Sequence, residues 1–310
     1  MDLQRHSFTL LTLALLSIVF VACGDKQAEQ ADGKLRIVAT TGMIGDAVRV
    51  IAGDRVELHT MMGPGVDPHL YKATKGDLDR LDKADVVFYN GLHLEAKLGT
   101  LLERMARTKK VVAVAESVPD SQLHLPDGSQ GYADPHIWFD VSLWRMAVAE
   151  VGRALAEADT GNAAVYADAV KMFDDSLAAL HQWTLEQVGA IPPEQRVLVT
   201  AHDAFGYFGT ACDMEVVGLQ GMSTVSEAGL YDVTSLVDMI VQRKIRAVFV
   251  ESSVSSKAIE SVVRGCRERG HDVTIGGELF SDAMGAADTP EGTYLGIIRH
   301  NVNTIVSALK

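Results

Sequence analysis

The sequence predicts an α/β protein of two lobes, each with a roughly four-stranded parallel sheet flanked by helices, joined by one long spanning helix. Three observations predict it. The apolar runs are short and β-branched and alternate with helical patterns, as parallel sheets covered by helices require. The order of elements in the first half recurs in the second, as "KADVVFYNGLHLEAKL" and "KIRAVFVESSVSSKAI" show in character if not in letters. Between the halves lies a long, nearly unbroken helical pattern.

The chain starts with a segment outside that fold. "MDLQRHS" carries Arg5, an apolar run spans Phe8 to Ala22, and "CGDKQAEQADGK" follows. A basic start, a short apolar stretch and small residues make an export signal over residues 1–22. "FVAC" resembles a bacterial lipobox, with Phe20 where leucine is usual, and makes Cys23 the expected lipidation site. An ordinary secretory signal with an incidental cysteine is the competing reading. Residues 23–33 read as a linker, 34–161 as the N-terminal lobe, 162–190 as the bridging helix and 191–310 as the C-terminal lobe.

In the first lobe, "LRIVATTGMIGDAVRVIAG" reads as strand, turn and helix, and "VELHTMMGPGVDPH" as a strand entering a Gly/Pro loop. "KGDLDRLDKA" is a short helix, "DVVFYNGLHLEAKL" a buried strand breaking into loop and helix, and "KKVVAVAESV" another strand. In the bridge, Tyr166, Val170, Phe173, Leu177, Leu180 and Thr184 recur at helical spacing until "IPP" stops them. About 28 residues at 1.5 Å each make a rod of roughly 42 Å, which permits only a modest tilt of one lobe against the other. In the second lobe, "QRVLVTAHDAFGYFGTAC", "MEVVGLQGMSTVSEAG", "RAVFVESSVSSKAIESVVRGCRERG" and "HDVTIGGELFSDA" each carry a strand and the loop that follows it.

The chain has 310 residues, too many for one small core. A net charge of −13 argues against a basic nucleic-acid-binding face. Beyond Cys23 there are two cysteines, Cys212 and Cys266, read as buried thiols, although export leaves a disulfide open.

Ligands of doubly wound sheets bind beyond the carboxyl ends of the strands. His69 follows the second strand, His202 the first strand of the second lobe, and Asp282 the last strand, while His136 precedes a helix. His69 and His136 each close an Asp-Pro-His triplet. Proline fixes its own φ and restricts its neighbour, so each triplet aims an imidazole. Three imidazoles and a carboxylate suit a divalent first-row metal, zinc or manganese in particular. Asp67, Asp134 and Glu251 are candidates for taking the free imidazole N–H groups behind such donors. His59, His181, His271 and His300 fall in or beside regular elements, and His93 and His124 are loop residues with no evident partner.

The mature chain resembles the substrate-binding lipoproteins of metal-ion ABC transporters, the zinc/manganese cluster. The resemblance rests on "GVDPHLYKATKGDLDRLDKADVVFYNGLHLE", "DPHIWFD", "TAHDAFGYF", "GLQGMSTVSEA" and "GGELFSDAMG". It implies His69, His136, His202 and Asp282 as the ligands of one Zn2+ or Mn2+ per chain. It also implies a monomer outside the cytoplasmic membrane, lipid-anchored and serving an ABC permease. Manganese-specific relatives carry Glu at the position of His202, and zinc-specific ones often have a His-rich loop before the second triplet. Here that loop holds only His124, so metal identity stays open. Two further classes compete: a metal-dependent hydrolase, for which no HExxH or HxH pattern is present, and a surface adhesin. Asp282 lies among small residues in "FSDAMGAAD" and is expected to leave the metal first.

Overall fold

The computed structural model describes residues 33–126 and 131–310. The expected export signal (1–22), Cys23 and nearly all of the linker lie outside the described residues. Strands β1 (Leu35–Ala39), β2 (Val56–Thr60), β3 (Val86–Tyr89) and β4 (Lys110–Ala113) form a parallel sheet in the order β2-β1-β3-β4. Helices α1 (Gly42–Ala52), α2 (Lys75–Lys83) and α3 (Ala96–Met105) make the crossovers. α1 buries Met43, Ile44, Ala47, Val48 and Ile51, an apolar stripe at helical spacing. α2 starts with a capping box between Thr74 and Asp77, and Tyr71 Oη also donates to Asp77 Oδ2 at 2.7 Å. That ties down the far end of the loop that carries His69.

Helix α4 (Val141–Ala158) is capped by Asp140, whose side chain accepts from the Ser142 amide, and leads to α5 (Ala163–Gly189). α5 is the expected rod: 27 residues, or about 40 Å. It buries Tyr166, Phe173, Leu177, Leu180, Thr184 and Val188. It packs on α1 and α4 of the first lobe and on α6 (Gly206–Cys212) and α9 (Tyr294–Leu309) of the second. Gly152 lets α4 and α5 approach, since a Cβ there would stand 2.2 Å from Val170 Cγ2.

The second lobe contains β5 (Val197–His202), β6 (Glu215–Gln220), β7 (Ala247–Glu251) and β8 (Thr274–Leu279), with α7 (Leu230–Arg243) and α8 (Lys257–Glu268) on one face. β5 pairs with β6 and β7 with β8, all parallel, and β5 runs beside β7. The lateral order is therefore β6-β5-β7-β8, the same as in the first lobe. The difference is that the ladders form two pairs. At the junction the His202 amide donates to the Glu251 carboxylate at 2.8 Å, so a side chain bridges the strand ends.

One hydrophobic core runs through both lobes. Ile37, Phe88, Trp138 and Trp144 join Phe205, Phe249, Leu279 and Tyr294 in it, and a smaller cluster fills the outer part of each lobe. The seam between the lobes is thus packed as an interior. Cys212 and Cys266 are free and buried.

Candidate metal centre

Both Asp-Pro-His triplets close the same side-chain-to-backbone bond. The aspartate oxygen accepts the amide of the histidine two residues on, from His69 to Asp67 Oδ1 at 2.8 Å and from His136 to Asp134 Oδ1 at 2.9 Å. Proline sits between donor and acceptor and holds the backbone. His202 ends β5 rather than lying in the loop after it, and Asp282 lies just beyond β8. The strand ends of both sheets and the 3-10 turn before α4 thus bring four side chains to one point.

His69, His136, His202 and Asp282 are all buried, and one donor atom from each lies within 4.8 Å of the others. His69 Nε2 is 3.3 Å from His136 Nε2 and 3.5 Å from Asp282 Oδ2. His136 Nε2 is 3.5 Å from Asp282 Oδ1, and His202 Nε2 is 3.3 Å from Asp282 Oδ2. Four donors about 2.0–2.1 Å from a tetrahedral zinc ion stand roughly 3.3–3.4 Å apart, so these spacings fit a single small cation. Both oxygens of Asp282 and Nε2 of His202 are buried without a hydrogen-bond partner. A buried, unpartnered carboxylate is costly, and a divalent ion is the group that would relieve it.

Behind the donors, two of the three expected carboxylates hold imidazoles by Nδ1. Asp134 Oδ1 is 2.6 Å from His136 Nδ1, and Glu251 Oε2 is 2.5 Å from His202 Nδ1. That arrangement places the Nδ1 proton toward the carboxylate and turns Nε2 to the site. Asp67 departs from the expectation: it binds the His69 backbone, and its other oxygen accepts from Thr224 Oγ1 at 2.6 Å.

Burial pushes His69 down to about 4, against the opposing pull of Asp282, so its ring is neutral at pH 7. Burial also works against charge on His202, but Glu251 and Asp282 outweigh it and hold that imidazole well above the usual histidine range. Burial would raise Asp282, yet the surrounding imidazoles carry it below the ordinary carboxylate range. An incoming cation therefore meets a charged carboxylate and displaces a proton from His202.

Several contributors were missed by sequence reasoning. His124, given no partner there, stacks on Tyr207 with ring centroids 4.1 Å apart, and its amide donates to Tyr207 Oη at 3.1 Å. Tyr207 Oη in turn donates to the Asp134 carbonyl at 2.8 Å and steadies the second triplet. Trp138 Nε1 donates to the Ser281 carbonyl at 3.1 Å, beside Asp282. "TAHDAFGYF" and "DPHIWFD" marked these neighbourhoods, but pairing across lobes carries no local signal. His93 lies against Tyr132 and His271 Nε2 donates to the Ile245 carbonyl, away from the four donors.

The family model described as "ZnuA: Zinc-uptake complex component A periplasmic" matches residues 37–308. The chain is 48% identical over 295 residues to the manganese-binding lipoprotein MntA of Bacillus subtilis (strain 168), covering 95% of this chain and 96% of the relative. It is 48% identical over 307 residues to the zinc-binding protein TroA of Treponema pallidum (strain Nichols), covering 99% and 98%. The solved structure of that periplasmic zinc-binding protein superposes with a TM-score of 0.87, over 89% of this chain and 99% of the other. Fe(III)-bound YtgA from Chlamydia trachomatis superposes with a TM-score of 0.79 at 27% identity, over 89% and 98%.

The site predicts a pH dependence. His69 has a lower pKa in the folded state than its unfolded value of about 6.5. Between that value and about 4 the unfolded chain binds the extra proton, so metal-free stability falls as pH falls through this window. His69→Asn should remove about 1–2 kcal/mol of the loss between pH 7 and pH 5. Urea unfolding of both metal-free proteins at the two pH values measures it; equal losses would contradict the assignment.

Proposed function

Because this chain belongs to the periplasmic zinc-uptake component family, we propose that it captures a divalent ion, zinc or manganese, and delivers it to an ABC permease. It is a solute-binding component and not an enzyme. The observation that carries the reading is the convergence of three imidazole Nε2 atoms on a buried carboxylate with no other partner. His69, His136, His202 and Asp282 are the proposed ligands, with Asp134 and Glu251 orienting two rings. The ion is cargo, so its binding must be strong yet reversible.

The choice between the two metals follows from the donors. Relatives named for zinc and for manganese are equally similar to this chain, so overall identity does not decide it. Imidazole nitrogen suits zinc, manganese favours oxygen, and the general affinity order also places zinc above manganese. We therefore propose that the site holds zinc more tightly. The reading places the chain outside the cytoplasmic membrane, anchored by lipid on Cys23 and working as a monomer. Among the described residues no helix is long and apolar enough to cross a membrane. Two or more acyl chains suffice for stable anchoring. Mass spectrometry of the mature N-terminus should find acylated Cys23; an unmodified N-terminus elsewhere would remove the anchor.

Elemental analysis of the purified protein should find one divalent ion per chain. A ligand that binds only the folded state adds about 2.7 kcal/mol at a hundred times its dissociation constant, so melting should rise clearly over the chelated protein. Absence of both would sink the carrier reading. His202→Glu should lower zinc affinity more than manganese affinity in competition titrations. An unchanged ratio would show that this position does not tune the choice.

A further inference from the structure

The two Asp-Pro-His turns share the bond from the histidine amide to the aspartate but differ in their attachments. In the second turn the aspartate oxygen that caps the turn also takes the imidazole Nδ1 of His136. In the first turn the free oxygen of Asp67 instead receives the hydroxyl of Thr224, at 2.6 Å. Thr224 is buried and lies in segment 221–229, between β6 and α7 of the second lobe. Among the described residues this is the one hydrogen bond that joins the loop from 61 to 74 to the second lobe.

The other donors are anchored differently. The His136 turn is held from both sides, by Asn90 Nδ2 on the Pro135 carbonyl at 3.0 Å and by Tyr207 Oη on the Asp134 carbonyl at 2.8 Å. The Asp282 loop, for all its small residues, is pinned at Ser281, whose carbonyl accepts from Trp138 and whose hydroxyl lies 2.8 Å from Ser253 Oγ. His202 is part of β5 and its amide is bound by Glu251. Three donors are therefore fixed to the shared seam or to the second lobe. Apart from the contacts of its ring at the donor cluster itself, the turn of His69 is tied to the second lobe by the hydroxyl–carboxylate bond of Thr224 and Asp67.

Resting on the metal-carrier reading, we propose that Thr224 is a positioning residue for His69, acting through Asp67 as a latch between the lobes. The donors then divide one against three, and His69 rather than Asp282 is the ligand that leaves first. With the latch made, Asp67 holds the turn that aims His69 at the ion. With it broken, the loop keeps its own turn geometry but loses its tie to the other three donors. Coordination bonds are short, so a displacement of an ångström or two ends the contact. A hydrogen bond to a charged carboxylate is strong enough to change a release rate by about tenfold or more.

Thr224→Val keeps the volume and removes the hydroxyl, while Thr224→Ser keeps the hydroxyl. Each protein, loaded with zinc, is mixed with excess chelator in a stopped-flow instrument. Thr224→Val should release zinc about tenfold faster or more, and Thr224→Ser should stay within about threefold of the natural protein. Metal-free Thr224→Val should melt slightly lower, by the loss of one hydrogen bond, and the zinc-loaded form should lose clearly more, which separates positioning from general destabilisation. The proposal is overturned by equal release from Thr224→Val and the natural protein. It is equally overturned if serine behaves as valine does, or if the valine variant melts lower without metal by as much as with it. Failure of the natural protein to hold zinc at all would instead overturn the carrier reading on which the latch rests.

Discussion

A carboxylate buried with no hydrogen-bond donor is the constraint around which this molecule is organised. Asp282 sits in a buried site with neither oxygen hydrogen-bonded to another protein group, ringed by three imidazoles. Left alone, such a group would be expected to neutralise or draw in water. Here His202 shares the burden in the absence of metal, because Glu251 behind it stabilises its charged form. The same wiring prepares the site for a cation, since a neutral His69 and a charged Asp282 are the protonation states that a metal requires. The cost of burying the donors is met by the binding event itself, which links affinity to the burial of the site.

That burial depends on the seam between the lobes. A single core crosses it, and α5 lies along both sides with Tyr166 at one end of its buried stripe and Val188 at the other. Tyr294 shows how closely the seam is joined. Its amide donates to Asp46 Oδ2 of the first lobe, and its hydroxyl to the Trp138 carbonyl, each within 2.8 Å. Opening such an interface widely would expose interior apolar surface, at roughly 25 cal/mol per Å2. Small relative displacements avoid that cost, and metal coordination is sensitive enough for small displacements to matter.

Much of this was legible in the sequence, for identifiable reasons. The strand–helix order follows from short β-branched runs such as "VVFY" and from the apolar spacing of α1. The rod follows from the periodicity of Tyr166, Phe173, Leu177 and Leu180. Three of the four candidate ligands were read from strand ends and His136 from its Asp-Pro-His triplet, the family resemblance joined them into one set, and the structure brings the four side chains together. What stayed hidden were pairings across the seam. Asp67 was expected to support an imidazole as Asp134 does, because the triplets are spelled alike; only Thr224, 157 residues away, makes them differ. His124 looked idle for the same reason, since its partner Tyr207 comes from the other lobe. The splitting of the second sheet into two ladders was equally invisible in the sequence pattern.

The most direct test of the account is X-ray absorption at the zinc edge of the metal-loaded protein. Three imidazoles and one carboxylate predict a shell of nitrogen and oxygen only, at about 2.0–2.2 Å, with the outer-shell scattering of three imidazole rings and no sulfur. A sulfur shell near 2.3 Å, or scattering from fewer than three rings, would contradict it.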